Sequence, residues 1–358
     1  MAKQANSKET TYPMLEKQSV IASSSSPRDL TPHSLMGKKV FVETTARLHM
    51  GFFDLHGGLG RKFGSIGLSL DAPSLHLSAT YQKDLEVKGS EAVHPDKLAR
   101  IEHAAKRFLQ HLNIVTGANI WVDECMQTHA GLGSGTQISL AVGAALSQLY
   151  GLHLSTREIA LNMQRGRRSG IGIAAFDVGG ILIDGGRHAQ TILPPILARY
   201  DFPQDWRILL IFDEAELGVH GAQELQAFSE LPEFPQDLAA ELCRHVLMQA
   251  MPALVEQDLN AFGQSIQILQ QYTGDYFSPA QGGRYASPSV TRVLNKLASL
   301  GVACFGQSSW GPTGFAVFEN SAMAEKHLSI LKTEFAELNL DWRICAARNR
   351  GATIKVNV

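Results

Sequence analysis

The chain has 358 residues, of which 44% are hydrophobic and 18% charged, enough apolar material for two domains or one large one. Its 32 Lys and Arg nearly balance 34 Asp and Glu, for a net charge of −2, which argues against nucleic acid or a membrane surface as partner. No apolar stretch approaches the ~20 residues that span a bilayer, so we expect a cytoplasmic protein. The four cysteines share no CxxC spacing and are expected to be reduced and buried: Cys125, Cys243, Cys304 and Cys345.

The start of the chain is rich in serine and poor in large apolar side chains, with Pro27 following four serines at its centre. Such a composition cannot bury enough surface to offset the entropy lost on ordering. It also lacks the apolar core of a secretory signal. We therefore expect a disordered polar tail over residues 1–37.

After this tail, the apolar pattern alternates between the period of a strand and that of a helix. Period-two alternation predicts strands over residues 40–44 and 75–79, whereas the glycine-rich segment 47–67 is expected to be neither strand nor helix throughout. Apolar residues on one face predict an amphipathic helix over 98–112, and a strand is predicted over 119–122.

The later part of the chain predicts helices with a few short strands. A helix of small residues is expected over 136–150, and Ser155 with Glu158 forms a capping box for the next helix. Pro252 is expected to separate two helices, and Gly301 to close another. The remaining elements of this α+β pattern are helices over 236–250, 257–272 and 289–300, with strands over 208–212, 302–305, 315–318 and 343–345.

The first candidate site is Gly131-Leu132-Gly133-Ser134-Gly135, directly before the helix of small residues. Glycines let backbone N–H groups converge on an anion, and the helix N-terminus adds a positive dipole end. No Lys follows the last glycine, so this is not a Walker A sequence. The segment is either a phosphate loop or an ordinary glycine-rich turn.

A second candidate follows the capped helix and combines three arginines with small residues: Arg165, Arg167, Arg168, Ser169, Gly170 and Gly172. Arginines suit a phosphate or carboxylate that accepts forked hydrogen bonds. The alternative is a solvated helix end, where arginines interact favourably with the helix dipole. The density of glycines favours a ligand loop.

Two further polar segments accompany predicted strands. Arg47, His49 and Asp54 follow the first strand, and their side chains either converge on a polar ligand or serve a structural role. The other segment forms either a wall of a ligand site or a hairpin with a packed tryptophan, and comprises Gln307, Ser308, Ser309, Trp310 and Gly311.

Taken together, these segments resemble the GHMP kinase superfamily over about residues 40–358, with residues 131–135 as its phosphate loop. The resemblance implies an α+β, two-domain fold with mixed and antiparallel sheets packed by helices. It also implies an N-terminal domain over residues 38–195 and a C-terminal domain over residues 196–358.

Two departures separate the chain from the kinases of that superfamily. Gly172 stands where mevalonate-type kinases place a catalytic aspartate, and Arg47 where they place a lysine. The motifs look instead like those of the β-ribofuranosylaminobenzene 5′-phosphate synthase family, within the same superfamily: Arg47-Leu-His49-Met-Gly51-Phe-Phe-Asp54, Gly60-Arg61, residues 168–176, and Gln307-Ser308-Ser309-Trp310-Gly311-Pro312.

This closer resemblance implies condensation of 4-aminobenzoate, or its analogue 4-hydroxybenzoate, with phosphoribosyl pyrophosphate, releasing CO2 and pyrophosphate. The product would be a precursor of tetrahydromethanopterin, and Mg²⁺ and a homodimer are implied as well. The catalytic candidates are then Arg47, His49, Arg168 and Ser169, and the metal candidates Asp54 and Asp177. The phosphate- and substrate-binding candidates are Gly131, Leu132, Gly133, Ser134, Gly135, Arg165, Arg167, Gly170, Gly172, Gln307, Ser308, Ser309, Trp310 and Gly311.

This reaction explains why a catalytic aspartate is dispensable. The acceptor ring loses CO2 rather than a proton, so no strong base has to act on the ring carbon, and Gly172 is chemically sensible. Arg47 or His49 could anchor the acceptor carboxylate. Two alternatives belong to other classes: an ATP-dependent small-molecule kinase, disfavoured by Gly172 and Arg47, and a non-catalytic ligand-binding protein on the kinase scaffold.

Overall fold

The computed structural model describes residues 35–213 and 230–357. Most of the predicted tail, residues 1–34, lies outside the described residues, and residues 35–37 form a turn. In chain order, the described elements are β1 (Lys39–Asp54), β2 (Gly64–Tyr81), β3 (Glu86–Gly89), α1 (Pro95–His111), β4 (Ala118–Cys125), α2 (Ser134–Leu149), α3 (Thr156–Asn162), α4 (Ile171–Asp177), β5 (Ile181–Asp184), β6 (Ile196–Tyr200), β7 (Arg207–Asp213), α5 (Gln236–His245), a π-helical turn (Val246–Ala250), α6 (Met251–Glu256), α7 (Leu259–Gln281), α8 (Pro288–Ser299), β8 (Cys304–Gln307), β9 (Gly314–Phe318), α9 (Ser321–Glu334), β10 (Leu340–Cys345) and β11 (Thr353–Asn357).

Two β-sheets organise the described part of the chain. The first follows the order β11-β1-β2-β4-β3, with β5 paired to β2 and β6 to β5. Its pairs are antiparallel except β3 with β4, which is parallel. The second is antiparallel throughout, in the order β10-β7-β9-β8. Helix α2 packs on β1 and β2, and α7 packs on β8 and β1. The predicted α+β fold with mixed and antiparallel sheets packed by helices is confirmed.

The first sheet takes strands from both ends of the chain. β6 and β11 both follow residue 195, yet both belong to the sheet that begins with β1. β11 pairs with the start of β1, with Lys39 opposite Asn357. The division into domains between residues 195 and 196 stays a prediction, and the first sheet crosses it.

The expectation that residues 47–67 form neither strand nor helix throughout is wrong for most of that segment. β1 continues to Asp54, and β2 begins at Gly64. Three register shifts interrupt their pairing, between Thr45 and Arg47, between His49 and Gly51, and between Phe52 and Asp54. Bulges of this kind break the period-two pattern without ending the strand. Sequence periodicity therefore missed a strand that carries site residues.

Helix α2 is almost entirely buried, and its small residues let neighbouring helices approach it. A Cβ atom on Gly143 would lie 2.3 Å from Ile159 Cγ2 and 3.4 Å from Phe108 Cε2. Phe108 belongs to α1 and Ile159 to α3. The absence of a side chain at residue 143 therefore allows α1 and α3 to pack against α2.

Pro252 does not break the chain where the sequence predicts. The helical conformation runs from Gln236 through the π-helical turn and α6 to Glu256, with Pro252 in the first turn of α6. The wider π-helical turn before it relieves the usual clash of the proline ring with the preceding turn. The break comes at Gln257, which adopts a left-handed conformation (φ 60°).

Other local predictions agree with the structure. Ser155 and Glu158 form the predicted capping box, and Gly301 follows α8 with a φ of +74°. All four cysteines are free, as predicted, and three are buried; the prediction of burial is wrong for Cys243, which is half-buried. The sequence did not predict β3, α4, β5, β6, α9 or β11, most of which are too short for a clear period. No helix in the described ranges is both long and apolar enough to span a bilayer.

Candidate active site

Three segments that are distant in sequence meet at the carbonyl oxygen of Gly131. Arg47 Nη1, on β1, donates to it at 2.6 Å. Ser308 Oγ, between β8 and β9, donates to it at 2.9 Å, and the same Ser308 oxygen accepts from the backbone N–H of His49 at 3.1 Å. The predicted segments around Arg47, Gly131 and Ser308 therefore form one site.

Two positions of the glycine loop, Gly131 and Gly133, are packed too closely for a side chain. Gly131 and Gly133 have φ values of +74° and +77°, which L side chains rarely adopt. A Cβ on Gly131 would lie 2.4 Å from the carbonyl oxygen of Ser308, and one on Gly133 would lie 2.9 Å from Arg47 Cζ. Helix α2 begins at Ser134, with no side chain capping its first turn. A helix N-terminus that follows such a loop is a common place for an anion, and the phosphate-binding role of the loop stays a prediction.

His49 is uncharged at neutral pH. Burial, together with the positive charges of Arg47 and Arg168, lowers the pKa of its ring to about 3. Burial is the largest of these causes. Its Nε2 atom is buried and has no hydrogen-bond partner among the described residues. In a neutral imidazole, one ring nitrogen donates a hydrogen bond and the other accepts one, so Nε2 can do either according to the tautomer. A neutral ring cannot supply positive charge. A carboxylate in this site would find its charge partner in Arg47 or Arg168 instead.

The arginine cluster divides between the site and the surface. The positive charge of Arg168 contributes to the lowered pKa of His49. Arg165 Nε donates to Ser139 Oγ on α2 at 2.9 Å. Arg167 is exposed, and its Nη2 donates to Gln164 Oε1 at 2.9 Å. Arg165 and Arg168 therefore lie towards the site, whereas Arg167 points to the surface.

Asp184 is the polar residue of this site that the sequence interpretation missed. Its side chain is fully buried, and Oδ2 accepts from Ser65 Oγ at 2.6 Å, Ser169 Oγ at 2.8 Å and the Gly170 N–H at 2.9 Å. Oδ1 accepts from the Gly186 N–H at 2.8 Å. Burial raises the pKa of Asp184, and the four hydrogen bonds oppose that rise. The signal available in the sequence was an acid directly after an apolar strand and before two glycines.

Asp184 holds Ser169 and Gly170 at the start of α4, and α4 in turn lies against α2. Gln137 Nε2 donates to the carbonyl oxygen of Gly172 at 2.8 Å. A Cβ on Gly172 would lie 3.2 Å from Thr136 Cγ2, in the first turn of α2. Position 172 therefore faces the helix that follows the glycine loop.

The segment between β8 and β9 forms a hairpin connection held by two buried glutamines. Gln307 N donates to Gln270 Oε1 at 2.8 Å, and Gln270 Nε2 donates to the Met50 carbonyl at 2.6 Å. Ser309 N donates to the His49 carbonyl at 2.9 Å. Gly311, with a φ of +68°, donates its N–H to the Ser308 carbonyl. These bonds fix the hairpin against β1.

Aromatic rings line a small cavity beside this hairpin. The rings of His49 and Phe52 lie 4.5 Å apart, and those of Phe277 and Trp310 also lie 4.5 Å apart. The cavity has a volume of about 30 Å³, enough for a water molecule. Its other lining residues include Gln281, Arg284, Gln307 and Ser309.

The two acids predicted as metal ligands have separate partners. Asp54 Oδ1 accepts from the Gly57 N–H at 2.8 Å, and Asp177 Oδ1 accepts from Thr156 Oγ1 on α3 at 2.7 Å. In the described part of the chain, no three His, Cys, Asp or Glu side chains group closely enough to hold a metal ion. Asp54 and Asp177 thus accept from different donors, and Mg²⁺ stays a prediction.

Comparison with known proteins assigns both halves of the chain to one superfamily. Residues 99–180 match the GHMP kinases N terminal domain, and residues 250–337 match the GHMP kinases C terminal domain. The beta-ribofuranosylphenol 5'-phosphate synthase of Archaeoglobus fulgidus is 36% identical, over 88% of this chain and 99% of that protein. The synthase of the same name from Methanocaldococcus jannaschii is 33% identical, over 80% of this chain and 92% of that protein.

Solved structures share the fold at much lower sequence identity. Homoserine kinase from Cytophaga hutchinsonii superposes with a TM-score of 0.62 at 18% identity, covering 89% of this chain and 98% of its own. Mevalonate kinase from L. major, in complex with R-mevalonate, gives a TM-score of 0.61 at 16% identity, covering 87% of this chain and 96% of its own. At this identity the likeness concerns the fold alone.

The low pKa of His49 predicts how stability depends on pH. Below its usual pKa of about 6.5, the unfolded chain binds a proton at His49 that the folded protein does not bind until about pH 3. Stability is therefore lost as the pH falls through this window, by about 2 kcal/mol at pH 5. In urea unfolding, His49→Gln should lose less stability than the native protein between pH 7 and pH 5, whereas replacing the exposed His103 by Gln should not alter the loss. Parallel pH curves for His49→Gln and the native protein would contradict this.

The network around Asp184 predicts a second effect. Asp184→Asn should destabilise the fold by roughly 2–3 kcal/mol, because an amide cannot replace the charge that accepts four hydrogen bonds. Asp177→Asn is the matched control, since that carboxylate is exposed; its cost should stay within about 1 kcal/mol. Urea unfolding at pH 7 measures both. Equal losses would mean that Asp184 does not organise the start of α4.

Proposed function

Because the chain belongs to the beta-ribofuranosylphenol 5'-phosphate synthase family of the GHMP kinase superfamily, we propose that it transfers a ribosyl 5′-phosphate group to an aromatic acid. The donor in this proposal is phosphoribosyl pyrophosphate, and the acceptor is a benzoate with an electron-donating group opposite its carboxylate. CO2 and pyrophosphate leave. The product would be a C-riboside precursor of tetrahydromethanopterin.

The name of the relatives favours one of the two acceptors considered from the sequence. Their named product is a phenol, which would arise from 4-hydroxybenzoate, whereas 4-aminobenzoate would give an aminobenzene. We therefore propose 4-hydroxybenzoate as the preferred acceptor and 4-aminobenzoate as the alternative. Both carry a ring activated at the carbon that bears the carboxylate.

The proposed reaction balances without a base at the ring carbon. The activated ring carbon attacks the anomeric carbon of ribose and forms the new C–C bond, while the C–O bond to pyrophosphate breaks. The C–CO2 bond then breaks and returns its electron pair to the ring. Negative charge develops on the departing pyrophosphate, where backbone N–H groups and arginines stabilise it. The glycine loop, Arg165 and Arg168 are the groups proposed for this role.

The observation that carries the proposal is the meeting of Arg47, His49 and Ser308 at the glycine loop, with Gly172 facing the same helix. Cations and backbone donors are gathered there, while position 172 carries no carboxylate and His49 is neutral. Asp184 is engaged by four donors and faces away from solvent. This chemistry suits stabilisation of a leaving anion better than removal of a proton from an alcohol.

The aromatic cavity beside the hairpin is the proposed acceptor site. Rings of Phe52, Phe277 and Trp310 offer faces and edges to an aromatic acceptor, and the neutral Nε2 of His49 offers a polar partner. At about 30 Å³, the cavity is smaller than the ~150 Å³ in which benzene binds elsewhere. Binding the acceptor therefore requires its wall to move.

Mg²⁺ enters the proposal only with the donor. The ion commonly uses one or two carboxylates together with substrate phosphates, and Asp54 and Asp177 accept hydrogen bonds from different donors. No step above depends on the ion. The homodimer implied by the sequence resemblance stays a prediction.

The decisive experiment follows both leaving groups in one reaction. The purified protein is incubated with phosphoribosyl pyrophosphate, Mg²⁺ and 4-hydroxybenzoate labelled at its carboxylate carbon, and then with labelled 4-aminobenzoate. We expect CO2 and pyrophosphate in equal amounts. Arg47→Lys should lose both products, because lysine keeps the charge but not the planar fork, while Arg292→Lys at the surface should retain both.

The other outcomes identify the alternatives. Pyrophosphate without CO2 would mean donor hydrolysis rather than ring ribosylation. Consumption of ATP with a sugar or alcohol would identify a kinase. Binding of both substrates without products would identify a ligand-binding protein on the same scaffold. Each of these results would overturn the proposed reaction.

The acceptor site gives a prediction of its own. Phe277→Leu should raise the KM for the acceptor by roughly tenfold, the loss of about 1.4 kcal/mol of ring contact, and leave the KM for the donor unchanged. Phe318→Leu, in the core behind the second sheet, is the matched control for lost stability. Steady-state kinetics with each substrate varied in turn provide the measurement. If Phe277→Leu raised both KM values equally, the cavity would not be the acceptor site.

A further inference from the structure

Arg107 on α1 and Arg165 after α3 place two positive charges near each other without a compensating acid. Both side chains are half-buried. Burial lowers the pKa of Arg165, and the charge of Arg107 lowers it further. Neither arginine forms an ion pair with any carboxylate in residues 35–213 or 230–357. Like charges held together in this way destabilise the fold unless an anion joins them.

A polar pocket lies beside Arg107. It has a volume of about 290 Å³, and its walls come from the end of α1 and the end of α3. The side chains that line it are all polar and none is acidic: Arg107, Gln110, His111, Asn162 and Gln164. Amide and guanidinium N–H groups are the donors that a phosphate accepts.

Arg165 contacts the helix that follows the glycine loop. Its Nε donates to Ser139 Oγ at 2.9 Å, and its Nη1 lies 3.8 Å from where a Cβ on Gly135 would be. Gly135 and Ser139 are four residues apart on α2, or about 6 Å along the helix axis. The charge of Arg107 therefore acts on an arginine that lies along the first turns of α2.

We propose that the pocket between α1 and α3 is a second phosphate site, with Arg107 as its cation and Asn162 and Gln164 as neutral donors. Its ligand is a phosphate monoester dianion. As far as the natural ligand is concerned, this inference rests on the proposed function, in which the monoester is the 5′-phosphate of the donor and the glycine loop takes the diphosphate. Free inorganic phosphate offers the same chemistry.

The test measures binding without requiring turnover. Isothermal titration calorimetry with ribose 5-phosphate, inorganic phosphate and pyrophosphate is applied to the native protein, Arg107→Gln and Lys106→Gln. Lys106 is the matched control, since it carries the same charge one residue earlier and forms an exposed ion pair with Glu102. Arg107→Gln should weaken the binding of ribose 5-phosphate about tenfold or more, which corresponds to the loss of one charge-assisted hydrogen bond. It should weaken the binding of pyrophosphate less than twofold. Lys106→Gln should change neither.

Thermal melting separates a ligand site from a structural role. In phosphate-free buffer, Arg107→Gln should melt at the same temperature as the native protein or higher, because the substitution removes a repulsive charge. Added ribose 5-phosphate should raise the melting temperature of the native protein and Lys106→Gln, but not that of Arg107→Gln. A lower melting temperature for Arg107→Gln without ligand would assign Arg107 a structural role and overturn the proposal.

The ligand series distinguishes the remaining outcomes. If inorganic phosphate binds as tightly as ribose 5-phosphate, and Arg107→Gln weakens both equally, the result would support a site that binds the phosphate group of either ligand. If Arg107→Gln weakened the binding of ribose 5-phosphate and of pyrophosphate equally, the proposed site would be wrong. It would also be wrong if ribose 5-phosphate did not bind to the native protein. If ribose 5-phosphate binds through Arg107 but no CO2 or pyrophosphate is released from the full substrates, the site stands and the proposed reaction fails.

Discussion

The arrangement of the site depends on one carbonyl oxygen, that of Gly131, and on the two hydrogen bonds it accepts from Arg47 and Ser308. A strand from the start of the chain, a helix-capping loop and a hairpin near the end all converge there. The contact leaves no room for a Cβ at residue 131. Glycine is therefore required by packing and not only by backbone flexibility.

This junction controls the charge around it. Burial, with the charges of Arg47 and Arg168 adding to it, holds the ring of His49 neutral, so this histidine adds no positive charge to that of the guanidinium groups. The buried Asp184 has its oxygens occupied by four donors and serves to fix the start of α4. Fixed cations and backbone dipoles with little opposing charge suit the stabilisation of an anion that leaves.

The frame that carries this chemistry is shared with kinases, so the fold by itself does not decide the reaction. What differs is local. Helix α4 lies against the first turn of α2 through Gln137 and Gly172, and at that contact a glycine leaves the site without a base. This glycine, together with Arg47 on β1, is where the sequence departs from the kinases that it resembles.

The sequence by itself determined the elements whose signals are local. The apolar face of α1, the small residues of α2, the capping box at Ser155 and the turn-forming glycines all depend on neighbours within a few positions, which periodicity and turn chemistry report. Motif order also identified the superfamily. The sequence did not reveal that β1 passes through three bulges, because a bulge breaks the period on which the strand signal depends.

Only the tertiary structure decided which of the predicted groups share one site and what charge they carry. In the folded chain, Arg167 is exposed and Asp54 and Asp177 accept from different donors. Asp184 is buried at the start of α4, and the charge of Arg107 acts on Arg165. Burial and electrostatic coupling depend on residues that lie far apart in the chain and meet only after folding. A sequence pattern over neighbouring residues does not report these long-range contacts. In this protein, the long-range contacts determine the burial and charge of the groups in the site.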